Sequence, residues 1–272
     1  RKAVALPKDI PVLHAVFAEL LLAAVRELRA QPHRQDGGQR EKQGTHGAMH
    51  GGGGIPLLGR REVQAFSAAM HIKKFTFNPF QENTYVLHVG GEGVIVDPGC
   101  SDAEERDELE SWLSDNDVLP VRILLTHAHV DHVMGCAWLK GRYGLSPEVH
   151  RKDLPILEMA EASGAMFGVK CEPVPAPKLF LEEGEVIPLG TDHLDVLFVP
   201  GHAPGHVAFY SPREKFIIGG DVLFHRSIGR TDLPGGDMGT LLESIRTKLY
   251  PLGDDITVYS GHGPETTIGE ER

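Results

Sequence analysis

Apolar positions in this chain gather into short runs that stop abruptly at Gly, Pro or a polar cluster. Residues 121–125, 194–199, 215–218 and 256–259 are rich in Val, Ile, Leu, Phe and Tyr, and runs of that length and content read as buried strands. Residues 72–77, 84–89 and 94–96 predict an antiparallel start, with Gly90 and Gly91 as turn residues. Shorter strands are expected at 149–150 and 207–210. Between these runs the period changes. Ser101, Asp102, Ala103 and Glu104 match a capping box that opens a helix through Leu109, Trp112 and Leu113. Val133, Ala137 and Trp138 form a helical stripe, which places His132 in that helix's first turn. Helices are also expected over 153–163 and 238–249. The Pro-rich residues 171–178 form a loop expected to pass near the functional site. Strands alternating with helices predict an α/β or α+β domain with a sheet core and helical outer layers.

Residues before 70 follow another pattern. Residues 12–29 form an Ala- and Leu-rich helical stretch, which Glu19, Arg26 and Glu27 interrupt too often for a bilayer span or a secretory signal. Residues 31–54, rich in Gly, Gln, Arg and His, read as a disordered linker.

Composition narrows the class. With 272 residues and 41% hydrophobic content the chain can bury one substantial core. Its net charge of −11 divides into +4 for residues 1–69 and −15 for the rest, so neither nucleic acid nor a membrane is an expected partner. Cys100, Cys136 and Cys171 are widely spaced and lack CxxC spacing. Free thiols and a reducing, cytoplasmic location follow as expectations; oligomeric state is not readable from the pattern.

The chemistry sits where the four main strands end. The run at 121–125 leads into Thr126, His127, Ala128, His129, Val130, Asp131 and His132; the others lead into His202, Asp221 and His262. His127 and His129, two apart in an extended segment, point the same way and can reach one metal, leaving Asp131 and His132 for a neighbouring one. Five histidines and two aspartates suffice for two divalent cations, zinc first, with iron or manganese also suited to mixed His/Asp donors. Asp97, at the end of the run at 94–96, either orients a ligand histidine or caps a turn.

These residues resemble the metallo-β-lactamase fold superfamily over roughly residues 70–272. The segment 126–132 is similar to its THxHxDH signature, and the order HxHxDH, GHxxGH, GD, GHG is kept. Residues 200–206 and 227–237 look most like the glyoxalase II-like bacterial hydrolases, the hydroxyacylglutathione hydrolases. The resemblance implies the αβ/βα four-layer sandwich, with His127, His129 and His202 on one metal, Asp131, His132 and His262 on the other, and Asp221 bridging. His206 becomes a supporting residue. It implies cleavage of S-2-hydroxyacylglutathione or related small thioesters by water held between the cations, with Asp131 positioning that water. Arg230, Phe224 and His225 are candidates for binding substrate. Met70 to Phe75 resembles a start of this family, so residues 1–69 are expected to be an extension outside the enzyme and residues 70–272 the domain itself. The sequence ends ten residues after His262, short of the C-terminal helical domain with which glyoxalase II proper binds glutathione, so weak selection for glutathione is expected. Two other readings stay open: a persulfide dioxygenase-like iron oxidoreductase, and a non-catalytic metal-binding protein of the same fold.

Overall fold

The computed structural model describes residues 69–272. The expected helix at 12–29 and linker at 31–54 lie outside the described residues. Strands β1 (His71–Phe77), β2 (Glu82–Val89), β3 (Glu92–Val96), β4 (Leu119–Leu124) and β5 (Pro147–Glu148) form one sheet in that order. The first three are antiparallel neighbours, while β3, β4 and β5 run parallel. A second sheet has the order β13 (Thr266–Thr267), β12 (Thr257–Ser260), β9 (Phe216–Gly220), β8 (Val207–Ser211), β7 (Asp192–Phe198), β6 (Val186–Leu189). A small hairpin pairs β10 (Leu223–Phe224) with β11 (Ser227–Ile228).

Period-two alternation sorts the strand side chains into layers. Leu87, Val94, Val96 and Leu124 of the first sheet meet Val196, Val207, Phe209 and Ile218 of the second in a shared core. The intervening residues face outward onto helices. Val86, Ile95 and Ile123 pack on α1 (Ala103–Asp115) and α2 (Cys136–Tyr143) through Leu109, Leu113 and Leu139. Ala208, Ile217 and Val258 pack on Leu241 of α5 (Met238–Ser244) and on Ile245 and Leu249 of the turn that follows it. The result is four layers, helix, sheet, sheet, helix, as the resemblance implied. A one-residue slip of any central strand would exchange its two faces, and each side chain so buried contributes roughly 1.5–3 kcal/mol.

Several elements differ from the sequence expectation for local reasons. The α1 cap is Asp102, which accepts from Glu105 N at 2.9 Å; Glu105, not Glu104, returns a carboxylate oxygen to Ser101 N at 2.7 Å. His132 lies in a 3₁₀ turn, Val130–His132, ahead of α2 rather than within it. Gly135 N donates to Pro98 O at 2.7 Å and fixes the chain between turn and helix. The helix expected at 153–163 is two, α3 (Leu154–Glu158) and α4 (Ala160–Met166), divided at Met159. The helix expected at 238–249 is α5 continued by a π-helical turn, Ile245–Leu249. The pairing expected at 149–150 falls on β5, with Val149 only bridging Phe180. α6 (Ile268–Glu271) ends the chain. No described helix is long and apolar enough to cross a membrane, and all three cysteines are free and buried.

Candidate metal centre

Strand direction brings the seven donors together. β3 and β4 are parallel neighbours, so Asp97 and the segment beginning at Thr126 leave the first sheet at one edge. β9 and β12 are parallel neighbours in the second sheet, so Asp221 and His262 leave it together. His202 and His206 stand in the connection between β7 and β8. An antiparallel bridge between Glu82 and His262, with Asn83 N donating to Gly261 O at 2.7 Å, joins the two sheets at this edge. Gly261 is required there, because a Cβ would stand 2.2 Å from Asp221 Oδ1.

Two groups of donors form, each with its candidate ligand atoms within 4.8 Å of one another. In the first, His202 Nε2 stands 2.9 Å from His129 Nδ1 and 3.2 Å from His127 Nε2. In the second, Asp131 Oδ2 stands 3.1 Å from His262 Nε2 and 3.7 Å from His132 Nε2. Asp221 faces both, with Oδ2 3.5 Å from His202 Nε2 and 3.6 Å from His262 Nε2, and Oδ1 3.6 Å from His132 Nε2. His132 Nε2 and Asp221 Oδ1 are buried without a hydrogen-bond partner. Converging lone pairs and orphaned buried atoms are costly unless a cation fills the gap, and nitrogen and carboxylate oxygen are the donors a first-row divalent ion takes. The residues therefore fit a dinuclear site.

In His127, His132, His202 and His262 the ring nitrogen turned away from these gaps has an acceptor that sets the tautomer. His202 Nδ1 donates to Arg230 O at 2.8 Å, and His262 Nδ1 lies 3.2 Å from both Phe80 O and Gln81 O. His127 Nδ1 lies 3.0 Å from Thr126 Oγ1, which donates to Asp97 Oδ2 at 2.6 Å. Asp97 also accepts Thr126 N at 2.7 Å and stands 3.1 Å from His132 Nδ1. Asp97 thus stands against the outer nitrogen of His132, the place that the orienting role requires. His206 Nε2 accepts Asp221 N at 3.1 Å while its ring stacks on His127 at 4.8 Å, which is a supporting place and not a donor's.

Electrostatics separate the groups. Burial, then mutual repulsion, pushes His127 and His129 well below the ordinary histidine range, and burial lowers His202 as well. Burial also opposes charge in the second group, but the carboxylates outweigh it. His132 is held well above its usual value by Asp131 and Asp221, and His262 is raised by its hydrogen bond to Asp131. Asp131 in turn is held below the carboxylate range, against burial, by His132 and His262.

Sequence reasoning missed two supports. Asp153, fully buried, accepts Ala128 N at 3.1 Å and also Gly205 N, so one carboxylate ties the HxHxDH segment to the GHxxGH segment. A Cβ on Gly205 would lie 2.6 Å from Asp153 Oδ1, which is why glycine stands there. Burial lifts Asp153 to about 7 although both amides pull it down. Asn83 Nδ2 donates to Ser260 O at 3.0 Å and Gly263 O at 2.9 Å, fixing the turn that carries His262. An Asp before a helix reads as a cap, and an Asn inside a strand as a turn residue, so neither carried a signal.

A cleft of about 460 Å³ opens over Asp131, His129, His202, Asp221 and His262. Phe224 and Arg230 line it. His225 does not; it stands outside, 3.6 Å from Glu271 Oε1. None of residues 171–178 lines it either. Cys171 and Val174 turn into the first core instead, and the wall comes from Met166 and Phe167 at the end of α4. Arg230 gives both Nε and Nη2 to the Asp232 carboxylate at 2.6 Å.

Comparison with known proteins agrees with this geometry. The hydroxyacylglutathione hydrolase GloC of Haemophilus influenzae is 38% identical over 208 residues, spanning 75% of this chain and 95% of its own. The structure of the BLEG-1 B3 metallo-beta-lactamase is 40% identical, with a TM-score of 0.68 over 74% of this chain and 96% of that one. The structure of TTHA1623 in a di-iron-bound form is also 40% identical, with a TM-score of 0.67 over 73% and 96%. The family model described as the metallo-beta-lactamase superfamily matches residues 77–262. With that match, the four-layer fold and the paired His/Asp donor groups, the chain belongs to the metallo-beta-lactamase superfamily and is a metal-dependent hydrolase.

Proposed function

We propose that the protein is a glyoxalase II-like thioesterase that cleaves S-2-hydroxyacylglutathione or related small thioesters with two divalent cations, zinc in the first place. His127, His129 and His202 would hold one cation, Asp131, His132 and His262 the other, and Asp221 both. Cations so held supply Lewis-acid polarisation of a carbonyl and lower the pKa of water. Asp131, kept ionised and open to the cleft, orients water and accepts its hydrogen bond. Asp97, Thr126 and the Arg230 carbonyl keep the imidazoles turned inward.

One observation carries the choice of reaction. Besides the donor groups, the only ionisable side chain lining the cleft among the described residues is Arg230, which stays protonated at any working pH. Among the described residues no further side chain is placed to protonate a leaving group, which favours a group that departs as an anion. A thiol, with a pKa of about 8.5, does this readily, whereas an amine leaving from a lactam or amide needs a proton. The kinship with GloC supports the thioester reading. The donor set suits zinc, iron and manganese alike, and the di-iron form of TTHA1623 makes iron the second candidate.

The test is elemental analysis of purified protein beside a panel of thioesters, lactones, β-lactams and phosphodiesters. Two equivalents of metal and thioester turnover are expected. One iron with oxygen uptake would instead support the persulfide dioxygenase-like reading, and metal without turnover a non-catalytic binding protein.

A further inference from the structure

Beyond the donor groups, the cleft is walled mostly by hydrocarbon, with Ser163, Ser227 and Arg230 as its polar members. Phe80, from the turn between β1 and β2, meets Phe167, from the end of α4, edge to face at 5.6 Å and 88°. Phe224 stands 6.3 Å from the His262 ring on the facing hairpin, and Ile156, Met166 and Leu233 complete the walls. Phe167 is 40% exposed, a large apolar side chain left at the rim of an open cavity. Single exposed apolar residues need no explanation, but a contiguous apolar wall beside convergent polar groups is how a small-molecule site is built. The charge of the walls points the same way. Among the described residues no lysine lines the cleft, and the Arg230 guanidinium is already matched by Asp232. Along the apolar wall, away from the donor groups, an incoming carboxylate finds no unmatched cationic side chain.

Resting on the thioesterase reading, we infer that the preferred substrate is a thioester bearing an aryl or branched hydrocarbon group, with no free carboxylate where it lies against Phe80, Phe167 and Phe224. Either half of the thioester, acyl or thiol, can carry that group. A glutathione conjugate, with two carboxylates, uses the wall poorly.

The experiment compares kcat/KM for phenylacetyl and acetyl esters of N-acetylcysteamine, then for acetyl esters of benzyl mercaptan, N-acetylcysteamine and glutathione, on protein with two equivalents of metal. An aryl group in at least one arm should raise kcat/KM about 30-fold, which is about 2 kcal/mol, consistent with an apolar pocket reading hydrocarbon. Glutathione should give no more than about threefold over N-acetylcysteamine. Phe167→Ala and Phe80→Ala should each cut the aryl-to-acetyl ratio about tenfold, while Phe167→Leu, which keeps the wall apolar, retains most of it. A ratio near one in both arms, a ratio unmoved by either Phe→Ala change, or a strong preference for the glutathione ester overturns the inference while leaving thioesterase activity intact. Absence of turnover with every thioester would instead sink the reaction reading. Calorimetry would then still decide on the wall: phenylacetate binding more tightly than acetate supports it, and equal binding overturns it.

Discussion

The two donor groups, a few ångströms apart, are built on opposite electrostatic plans. The group of His127, His129 and His202 is three imidazoles, each driven by burial and by its neighbours toward its neutral form. The group of Asp131, His132 and His262 holds a carboxylate against imidazoles that favour a positive charge. Neutral lone pairs bind a cation without offsetting its charge; Asp131 and Asp221, two carboxylates against two divalent cations, supply what offset there is, about half. Asp221 is the carboxylate that faces the inward nitrogens of both groups, so the nitrogen-rich half depends on a carboxylate that it shares.

The largest effect should therefore follow Asp221→Ala. Metal content should fall from two equivalents to less than one, with turnover down on the order of 1000-fold or more, since both cations lose their shared counter-charge. Two tightly retained metals would break the comparison. His262→Ala should remove a donor from one group only, leaving about one equivalent and costing on the order of 100-fold in kcat. Elemental analysis of the two variants side by side measures the asymmetry.

The supports sharpen the same contrast. Asp153 joins the two segments of the imidazole group, whereas Asn83 fixes the turn of the mixed one. Asp153→Ala and Asn83→Ala should each weaken metal affinity by about 10- to 100-fold, but at different positions, visible as loss of the tighter or the weaker step in a chelator competition. Identical loss profiles would show that the groups do not bind independently.

Asp153 adds a pH signature. Its folded value, about 7, lies above the ordinary aspartate value, so between about pH 4 and 7 the folded state holds a proton that the unfolded state has released. This contribution to stability is present at the acid end and is lost as pH rises through 7, at no more than about 1.4 kcal/mol per pH unit. Urea unfolding of wild type and Asp153→Asn across this range should show the slope in the first and not in the second. The smallest effect belongs to Arg230→Ala. Its side chain is bound to Asp232, and the cleft needs from it chiefly the backbone carbonyl on His202, so KM should move by no more than about threefold.

The donors were legible because strands deliver residues in a fixed direction: once the runs ending at 125, 199, 218 and 259 were identified, the edge where they meet followed. The supports and the cleft were not. β10, β11 and β13 are two-residue strands, and β6 carries an exposed Val186 and a proline, so none has enough period to register. Phe80 and Phe167 lie 87 positions apart, and nothing local pairs them. Asp102 and Glu105 shifted the α1 cap by one place because two adjacent side chains, Ser101 and Asp102, are both competent caps.

The bridge between Glu82 and His262 has a consequence for biosynthesis. Every donor from His127 to Asp221 has been synthesised before the segment that closes the site, and β12, which delivers His262, must insert beside β9 by long-range parallel pairing, an intrinsically slow kind of contact to form. On the proposed ligand set, cation capture at the mixed group is thus a terminal event of chain maturation. A nascent chain arrested before residue 262 can present the imidazole triad but never the complete pair.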